Sequence, residues 1–288
     1  MTLSLSIWDV QHGSAAYIRT PNGKHIVVDL GVGSTRAGTP SFSPLRHLYY
    51  NYGVHQLDEV IITHPHRDHL DDILNFALLN PKVLKRPKHL SEDEIRTGNQ
   101  LGDRSIIDRY MEIDRYYSEP VDPAGNPESS AVNGGVEITT FIPVAAARSN
   151  LNNHSIVTFI RYAGSTICLP GDNEAPSWRE LLESPLFCRY MADTNVFVAA
   201  HHGREAGYCS DIFGANLCSP VLVLVSDGPG CDTSAVSKYC GHARGWPVLS
   251  RSRRNSRERQ VLTTRSDGVL VVECSSSGAQ NYLSVSAE

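Results

Sequence analysis

The stretch that decides the fold is His64-Pro65-His66-Arg67-Asp68-His69, which directly follows the apolar run Val60-Ile61-Ile62-Thr63. It places three histidines and one aspartate within six residues. Imidazole nitrogens and carboxylate oxygens are common metal ligands in hydrolases. Positions 64 and 66 of an extended segment can point to one side, whereas positions 68 and 69 can turn towards a neighbouring point as a helix begins. The pattern therefore predicts two neighbouring metal sites at a strand-to-helix turn.

Three later segments place candidate ligands at the ends of apolar runs. His154 precedes the apolar residues of one run, Asp172 closes Leu169-Pro170-Gly171-Asp172, and His201-His202-Gly203 closes another. Taken singly, such residues are more often surface histidines or turn residues. Together with the first cluster, they complete a ligand set for two ions.

The bulk composition is that of an ordinary globular chain. The 288 residues include 41% hydrophobic and 20% charged residues, and residues 1–288 are predicted to form a single domain. Runs of strands separated by helices predict an α/β fold of two packed sheets with helices outside. The polar stretch from about 85 to 135, which includes a predicted helix from Glu92 to Tyr117, is interpreted as an insertion over the site.

Charge and leader signals restrict the class of protein. The net charge of -5 argues against binding nucleic acid through bulk electrostatics. Five arginines lie between Arg251 and Arg259, although such a run is more often a solvated surface than a substrate contact. There is no basic leader before an apolar run and no long apolar stretch, so we expect a cytoplasmic protein without a membrane partner. The seven cysteines include no Cys-x-x-Cys pair, which favours free, mostly buried thiols.

The order of these motifs resembles the metallo-β-lactamase superfamily: His-x-His-x-Asp-His, then His, then Gly-Asp, then His. More narrowly, the chain is similar to the soluble hydrolase domain of the ComEC type of competence protein. The similarity covers nearly the whole chain apart from the 85–135 stretch. It is carried further by Trp8-Asp9-Val10-Gln11-His12-Gly13-Ser14, Val27-Val28-Asp29-Leu30-Gly31, Asn153-His154-Ser155-Ile156-Val157, Ala200-His201-His202-Gly203 and Thr264-Arg265-Ser266-Asp267-Gly268.

This resemblance implies an αββα sandwich and a two-metal site. The implied ligands are His64, His66 and His154 for one ion, and Asp68, His69 and one histidine of the 201/202 pair for the other, with Asp172 between the ions and Asp29 behind them. The sequence does not decide between His201 and His202, with a preference for His201, which is nearer the strand. His66 and His154 stand where the ComEC group usually has Asp and Asn. Such imidazole-rich sites suit zinc, with manganese or iron as alternatives.

Two adjacent dications lower the pKa of a bound water and so provide a hydroxide nucleophile near neutral pH. Hydrolysis is therefore the predicted reaction, with Asp68 and Asp172 orienting the nucleophile or relaying a proton. His202, together with His12, His242 or the Arg251–Arg259 run, could stabilise charge on a phosphate. The leading substrate is a phosphodiester, in a nucleic-acid strand or a cyclic or short oligonucleotide. The alternatives are a hydrolase of another ester or amide bond and a metal-bound module that holds a nucleotide without turnover. Nothing in the sequence sets the oligomeric state.

Overall fold

The computed structural model describes residues 1–33, 42–214, 217–228 and 232–288. Within these residues, fifteen strands form two mixed sheets. From edge to edge, the nine-stranded sheet contains β12 (Asn255–Arg259), β11 (Trp246–Ser250), β15 (Gln280–Ala287), β14 (Leu270–Ser277), β1 (Thr2–Ile7), β2 (Ala16–Arg19), β3 (His25–Val28), β4 (Glu59–Ile61) and β5 (Val83–Lys85). The six-stranded sheet contains β13 (Val261–Thr263), β10 (Leu222–Val225), β9 (Val196–Val198), β8 (Ser165–Leu169), β7 (Val157–Tyr162) and β6 (Glu137–Phe141).

The two sheets pack face to face around a shared core. Residues alternate between the two faces of a strand, so Leu3, Leu5 and Ile7 of β1 all point into this core. They meet apolar residues of the other sheet such as Ile160 and Leu224. Because a one-residue slip would turn every inward side chain outwards, this alternation fixes the register of the strands.

Helices cover both outer faces. The described helices are α1 (Pro44–Tyr52), α2 (Glu92–Gly98), α3 (Arg104–Tyr116), α4 (Ala175–Leu182), α5 (Pro185–Ala192), α6 (Val236–His242) and the short α7 (Thr264–Asp267). Apolar residues of α1, α2, α3 and the 3-10 helix Ile73–Leu79 form one outer core with the nine-stranded sheet. Apolar residues of α4, α5 and α6 form another with the six-stranded sheet. The architecture is the αββα sandwich that the family resemblance implies.

The helix expected from Glu92 to Tyr117 is interrupted. Asn99 adopts an extended conformation (φ -111°, ψ 158°) and ends α2. Its side-chain Nδ2 donates to the carbonyl oxygens of Pro65 and Ile95, both at 2.9 Å. Such side-chain hydrogen bonds compete with continued helix. The break therefore joins α2 to the loop that carries the histidine cluster.

The stretch from 85 to 135 contributes to the fold and adjoins the site. Ile95 of α2 and Ile107 and Tyr110 of α3 are buried in the outer core of the nine-stranded sheet. The interpretation of this stretch as an insertion in one domain stays a prediction. Through the hydrogen bond from Asn99 to the Pro65 carbonyl oxygen, this stretch contacts the loop that carries the histidine cluster.

Two sequence expectations concern membranes and thiols. Among the described helices, none combines the length and the apolar character needed to cross a membrane. The six described cysteines are all free, and Cys168, Cys209, Cys218 and Cys274 are buried. Cys231 lies outside the described residues.

Candidate metal centre

Loops from both sheets meet at one end of the sandwich. The chain leaves β4 into the His64–His69 cluster, leaves β8 into Asp172, and leaves β9 into His201 and His202. Backbone hydrogen bonds join these loops, from Ile156 N to Thr63 O (2.9 Å) and from His201 N to Gly171 O (3.2 Å). The candidate ligands, far apart in sequence, are thus held on one rigid frame.

Two glycines allow the loops to approach this closely. Gly13 has a φ of 134°, and a Cβ added there would lie 2.4 Å from the carbonyl oxygen of Asp68. Gly171 has a φ of 60°, and its added Cβ would lie 2.8 Å from Thr63 Cβ. Only glycine combines these backbone conformations with the absence of a side chain. The backbones beside Asp68 and Asp172 therefore depend on glycine neighbours.

Four candidate ligands converge on one point. Each of these residues offers one ligand atom, and the four atoms all lie within 4.8 Å of one another. The four residues are Asp68, His69, Asp172 and His202. Asp172 Oδ1 lies 3.3 Å from His69 Nε2, and Asp172 Oδ2 lies 3.4 Å from His202 Nε2. Both Nε2 atoms are buried, and neither has a hydrogen-bond partner of suitable geometry among the described residues. Buried ring nitrogens are normally satisfied, so this donor set fits a bound cation.

The far side of each ring explains which nitrogen faces the centre. His69 Nδ1 lies 2.7 Å from Asp29 Oδ2, and His202 Nδ1 lies 3.1 Å from the Ser226 carbonyl oxygen. These oxygens accept, so each Nδ1 carries a hydrogen, and each Nε2 is the ring nitrogen available to a cation. Asp29 also accepts a hydrogen bond from Thr63 N at 2.7 Å. It therefore positions His69, as the resemblance implies.

The His201–His202 pair lies in an uncommon backbone conformation. Both residues have positive φ angles, 50° and 55°, and such conformations in residues other than glycine cluster at functional sites. The turn sends His202 towards Asp68, with Nε2 3.3 Å from Asp68 Oδ2. His201 Nδ1 instead lies 3.4 Å from Glu174 Oε1, and its Nε2 lies 3.8 Å from Asp172 Oδ2. This geometry favours His202 as the ligand, whereas the sequence alone gave a preference for His201.

A second pair of rings lies beside this group. His64 Nε2 and His66 Nδ1 are 2.9 Å apart, and His64 is fully buried. His64 Nε2 also lies 4.0 Å from Asp172 Oδ2. Asp172 thus lies near His64 as well as near the other three members of the group of four.

The structure does not bring His154 into contact with this pair. Its Nδ1 lies 3.0 Å from His89 Nε2 and 3.3 Å from the Pro143 carbonyl oxygen. Its Nε2 is buried without a hydrogen-bond partner. No hydrogen bond or ion pair links it to His64, His66 or Asp172 in the described parts of the chain. The ligand role of His154 stays a prediction.

The buried histidines and aspartates at the centre shift one another's pKa values. Burial alone would lower the pKa of His202, but Asp172 and Asp68 outweigh it and raise that pKa to about 10. Burial alone would raise the pKa of Asp172, yet His202 and His69 hold it well below its usual value. Burial and the charge of His69 keep the pKa of His64 well below the ordinary range. Without an ion, His202 is therefore protonated beside the ionised Asp172 while His64 is neutral, and a cation that binds to His202 must displace its proton.

A cavity of about 560 Å³ opens onto the centre. Among its lining residues, Arg67 is already paired with Asp71 (2.8 Å) and Asp103 (3.1 Å). Arg204 pairs with no carboxylate of the described residues. One of its terminal nitrogens lies 3.3 Å from His201 Nε2, and its Nε is buried without a partner.

Several residues around the centre were not singled out by sequence reasoning. Glu174 lies beside His201, Asn152 lines the cavity with His66, and Arg204 lines it with His201. Glu174 and Arg204 follow recognised motifs by one or two positions, which was the only available signal. His12, which the sequence did suggest, places its Nε2 3.5 Å from Asp68 Oδ2.

The other suggested phosphate contacts lie elsewhere. Arg253, Arg257 and Arg259 line a separate cavity at the β11–β12 edge of the nine-stranded sheet, and Arg259 pairs with Asp267 at 2.9 Å. The ring of His242 stacks on another aromatic ring, and its Nε2 lies 2.8 Å from the Tyr208 hydroxyl oxygen. Neither group lines the cavity at the metal centre.

Comparison with known proteins gives similarity at the level of structure. No protein-family model matches the sequence, and no curated protein matches it. One similar solved structure is CmlA, a diiron β-hydroxylase from Streptomyces venezuelae, with TM-score 0.43, 15% identity, and coverage of 78% of this chain and 44% of that chain. The hydrolase AbOPH of the β-lactamase superfamily gives TM-score 0.33, 16% identity and 55% coverage of each chain. A long-form RNase Z from yeast gives TM-score 0.41, 10% identity, and coverage of 99% and 50%.

These neighbours are members of the metallo-β-lactamase superfamily. The chain spans about half the length of each of the three. Because the scores and identities are low, the interpretation of the site rests on its own geometry.

Proposed function

We propose that this chain is a metal-dependent hydrolase that holds two divalent ions and cleaves phosphodiesters. The observation that carries the proposal is the position of Asp172, whose carboxylate lies 3.3 Å from His69 Nε2, 3.4 Å from His202 Nε2 and 4.0 Å from His64 Nε2. A buried carboxylate between two sets of imidazoles is the arrangement that two neighbouring ions require.

The donor set assigns residues to each ion. Asp68, His69 and His202 would hold one ion, His64 and His66 the other, and Asp172 both. His154 remains the predicted further ligand. Imidazole combined with carboxylate suits zinc, and manganese or iron are alternatives at the same ligands.

Bound ions would supply a nucleophile at neutral pH and polarise the bond under attack. The protein's own contribution is orientation and proton handling. Both ligand carboxylates line the cavity, and Asp68 is the more exposed, at 22% against 5% for Asp172. It can accept a proton from the attacking group, while His12 beside it contacts the substrate. Asp172 is buried and holds the arrangement in place.

One cationic side chain, Arg204, supports a phosphodiester over a neutral ester. Arg204 is a guanidinium without a carboxylate partner among the described residues, and it lines the cavity at the centre. Guanidinium groups bind the oxygens of phosphates through paired hydrogen bonds. None of the described lining residues is Phe, Tyr or Trp, the residues whose rings stack on the bases of single strands. A small diester such as bis-p-nitrophenyl phosphate is therefore a suitable probe.

The test compares turnover of different bonds by the metal-loaded protein. The substrates are bis-p-nitrophenyl phosphate, a lactone, a thioester and a chromogenic β-lactam. We expect diester hydrolysis by wild type and a loss of about 100-fold or more in Asp172→Asn, since that change weakens the link between the ions. Asp211→Asn is the matched control, because Asp211 is an exposed acid paired with Arg179.

The outcomes separate the alternatives. Turnover of the lactone, thioester or β-lactam alone would show a hydrolase with another substrate. A nucleotide bound and recovered unchanged, without turnover of any probe, would indicate a binding module.

A further inference from the structure

A second large cavity lies at the open edge of the sandwich. β5 and β6 are edge strands of their respective sheets, and residues between 116 and 128 cover the gap between them. The cavity has a volume of about 1010 Å³ and shares no lining residue with the cavity at the metal centre. It lies within the size range of pockets that bind small organic molecules.

The walls of this edge cavity are largely apolar. Tyr117 and Ile142 are partly buried against the neighbouring cores. Tyr116, Val121 and Val144 line the cavity and are among the most exposed large hydrophobic residues, at 82%, 43% and 51%. Exposed apolar side chains gathered around a concavity are typical of binding sites.

A buried carboxyl also lines the edge cavity. Glu59 of β4 is only 1% exposed, and its Oε2 has no hydrogen-bond partner among the described residues. Since Val60 packs into the outer core and Ile61 into the core between the sheets, strand alternation turns Glu59 to the side between the sheets. A buried carboxyl without a partner costs free energy, and such an exception calls for a function.

Three of the basic residues that line the edge cavity, Lys82, Lys85 and Arg86, are engaged with other groups. Lys82 Nζ pairs with Asp58 at 2.9 Å. Lys85 pairs with Glu128 and donates to Thr140 Oγ1 at 2.7 Å, which bridges the two edge strands. Arg86 is held by Asp114 and by backbone carbonyl oxygens. Oε2 of the buried Glu59 is thus left without a hydrogen-bond partner in the described structure.

We propose that the edge cavity binds a small organic cation, a primary amine or guanidinium on an apolar body, with its charged group against Glu59. The body of the ligand packs on Tyr117, Ile142 and Val144. A cation at the carboxyl favours the ionised form, so the Glu59 proton is released on binding. This site is separate from the metal centre and does not depend on its reaction.

The probe for this proposal is benzylamine, titrated into the full-length chain by calorimetry at about pH 8. Benzyl alcohol and phenylacetate are the neutral and anionic controls of the same shape. We expect saturable binding of benzylamine and binding at least about tenfold weaker for both controls, because they lack the cation. We also expect Glu59→Gln to lower the affinity for benzylamine by about tenfold or more. The control is Glu273→Gln, a change at an exposed glutamate on β14, which should leave that affinity unchanged.

A second variant guards against a folding defect in Glu59→Gln. Val144 is 51% exposed at the rim, so Val144→Arg should leave the core intact while placing bulk and a positive charge at the opening. We expect this variant also to lower the affinity for benzylamine by about tenfold. Equal affinity for benzylamine and benzyl alcohol, undetectable benzylamine binding to wild type, or unchanged affinity in both variants would overturn the proposal.

Discussion

At the scale of single residues, Asp29 shows how a residue that is not a ligand can control the centre. One carboxylate oxygen fixes His69 Nδ1 and the other accepts from Thr63 N. Asp29→Asn keeps a residue that tolerates the positive φ of 61° but loses one of the two acceptors. We expect the affinity for zinc to fall by about 10- to 100-fold. Competition with a chromogenic chelator measures this, and an unchanged affinity would show that Asp29 has only a structural role.

Arg204 provides the residue-scale test of substrate charge. In Arg204→Gln, we expect KM for the diester to rise about tenfold with little change in kcat, because a charged hydrogen bond contributes about 1.5–3 kcal/mol. Inhibition by inorganic phosphate should weaken in parallel. Arg179→Gln is the control, since Arg179 is 67% exposed and pairs with Asp211 on the surface. A drop in kcat with unchanged KM would place Arg204 in another role.

At the scale of elements, the sequence predicted the parts that have strong local patterns. The strand before His64 follows from the apolar run Val60 to Thr63, and the strands that end near Asp172 and His201 follow from apolar runs as well. Short or polar elements were missed, including β5 with three residues and the largely exposed β12 and β15. Their pairing partners, rather than their own composition, make them strands.

The candidate site was predictable to a similar extent. The cluster from His64 to His69 and the position of Asp172 follow from local motifs. The choice of His202 over His201, the pairing of His154 with His89 and the place of Arg204 depend on turns and contacts between distant segments. Such contacts leave no local signal in one sequence.

The break between α2 and α3 links an element to the site. Asn99 Nδ2 donates to the carbonyl oxygens of Pro65 and Ile95, both at 2.9 Å. Asn99→Ala removes both hydrogen bonds, so we expect the free energy of unfolding to fall by about 1–2 kcal/mol and zinc affinity to weaken. Urea unfolding and zinc titration measure the two effects. A loss of stability with full metal affinity would mean that α2 does not position the histidine loop.

At the scale of the whole molecule, Glu59 couples stability to pH. Burial raises the pKa of its carboxyl to about 8, with Glu128 adding to the shift and Lys85 opposing it. Between the ordinary glutamate pKa of 4.5 and the raised pKa of about 8, the folded chain keeps a proton that the unfolded chain has lost. The contribution of Glu59 to stability therefore falls as pH rises through this window, by at most about 1.4 kcal/mol per pH unit.

Glu59→Gln should remove that dependence. Relative to wild type, we expect the variant to gain stability between about pH 5 and about pH 8, by a few kcal/mol. Urea unfolding of both proteins at several pH values measures the difference in their free energies of unfolding. The titrations of the metal centre cancel in this difference, because both proteins contain that centre. A difference that stays constant with pH would contradict the buried, protonated carboxyl.

The central claim is that this fold holds two ions around Asp172, and metal content per chain tests it most directly. Elemental analysis is made on wild type and His202→Ala after loading with zinc and removal of the excess. We expect about two ions per wild-type chain and about one in the variant, because Asp68, His69 and His202 would share one ion in the proposed site. No bound metal in well-folded wild type would contradict the account.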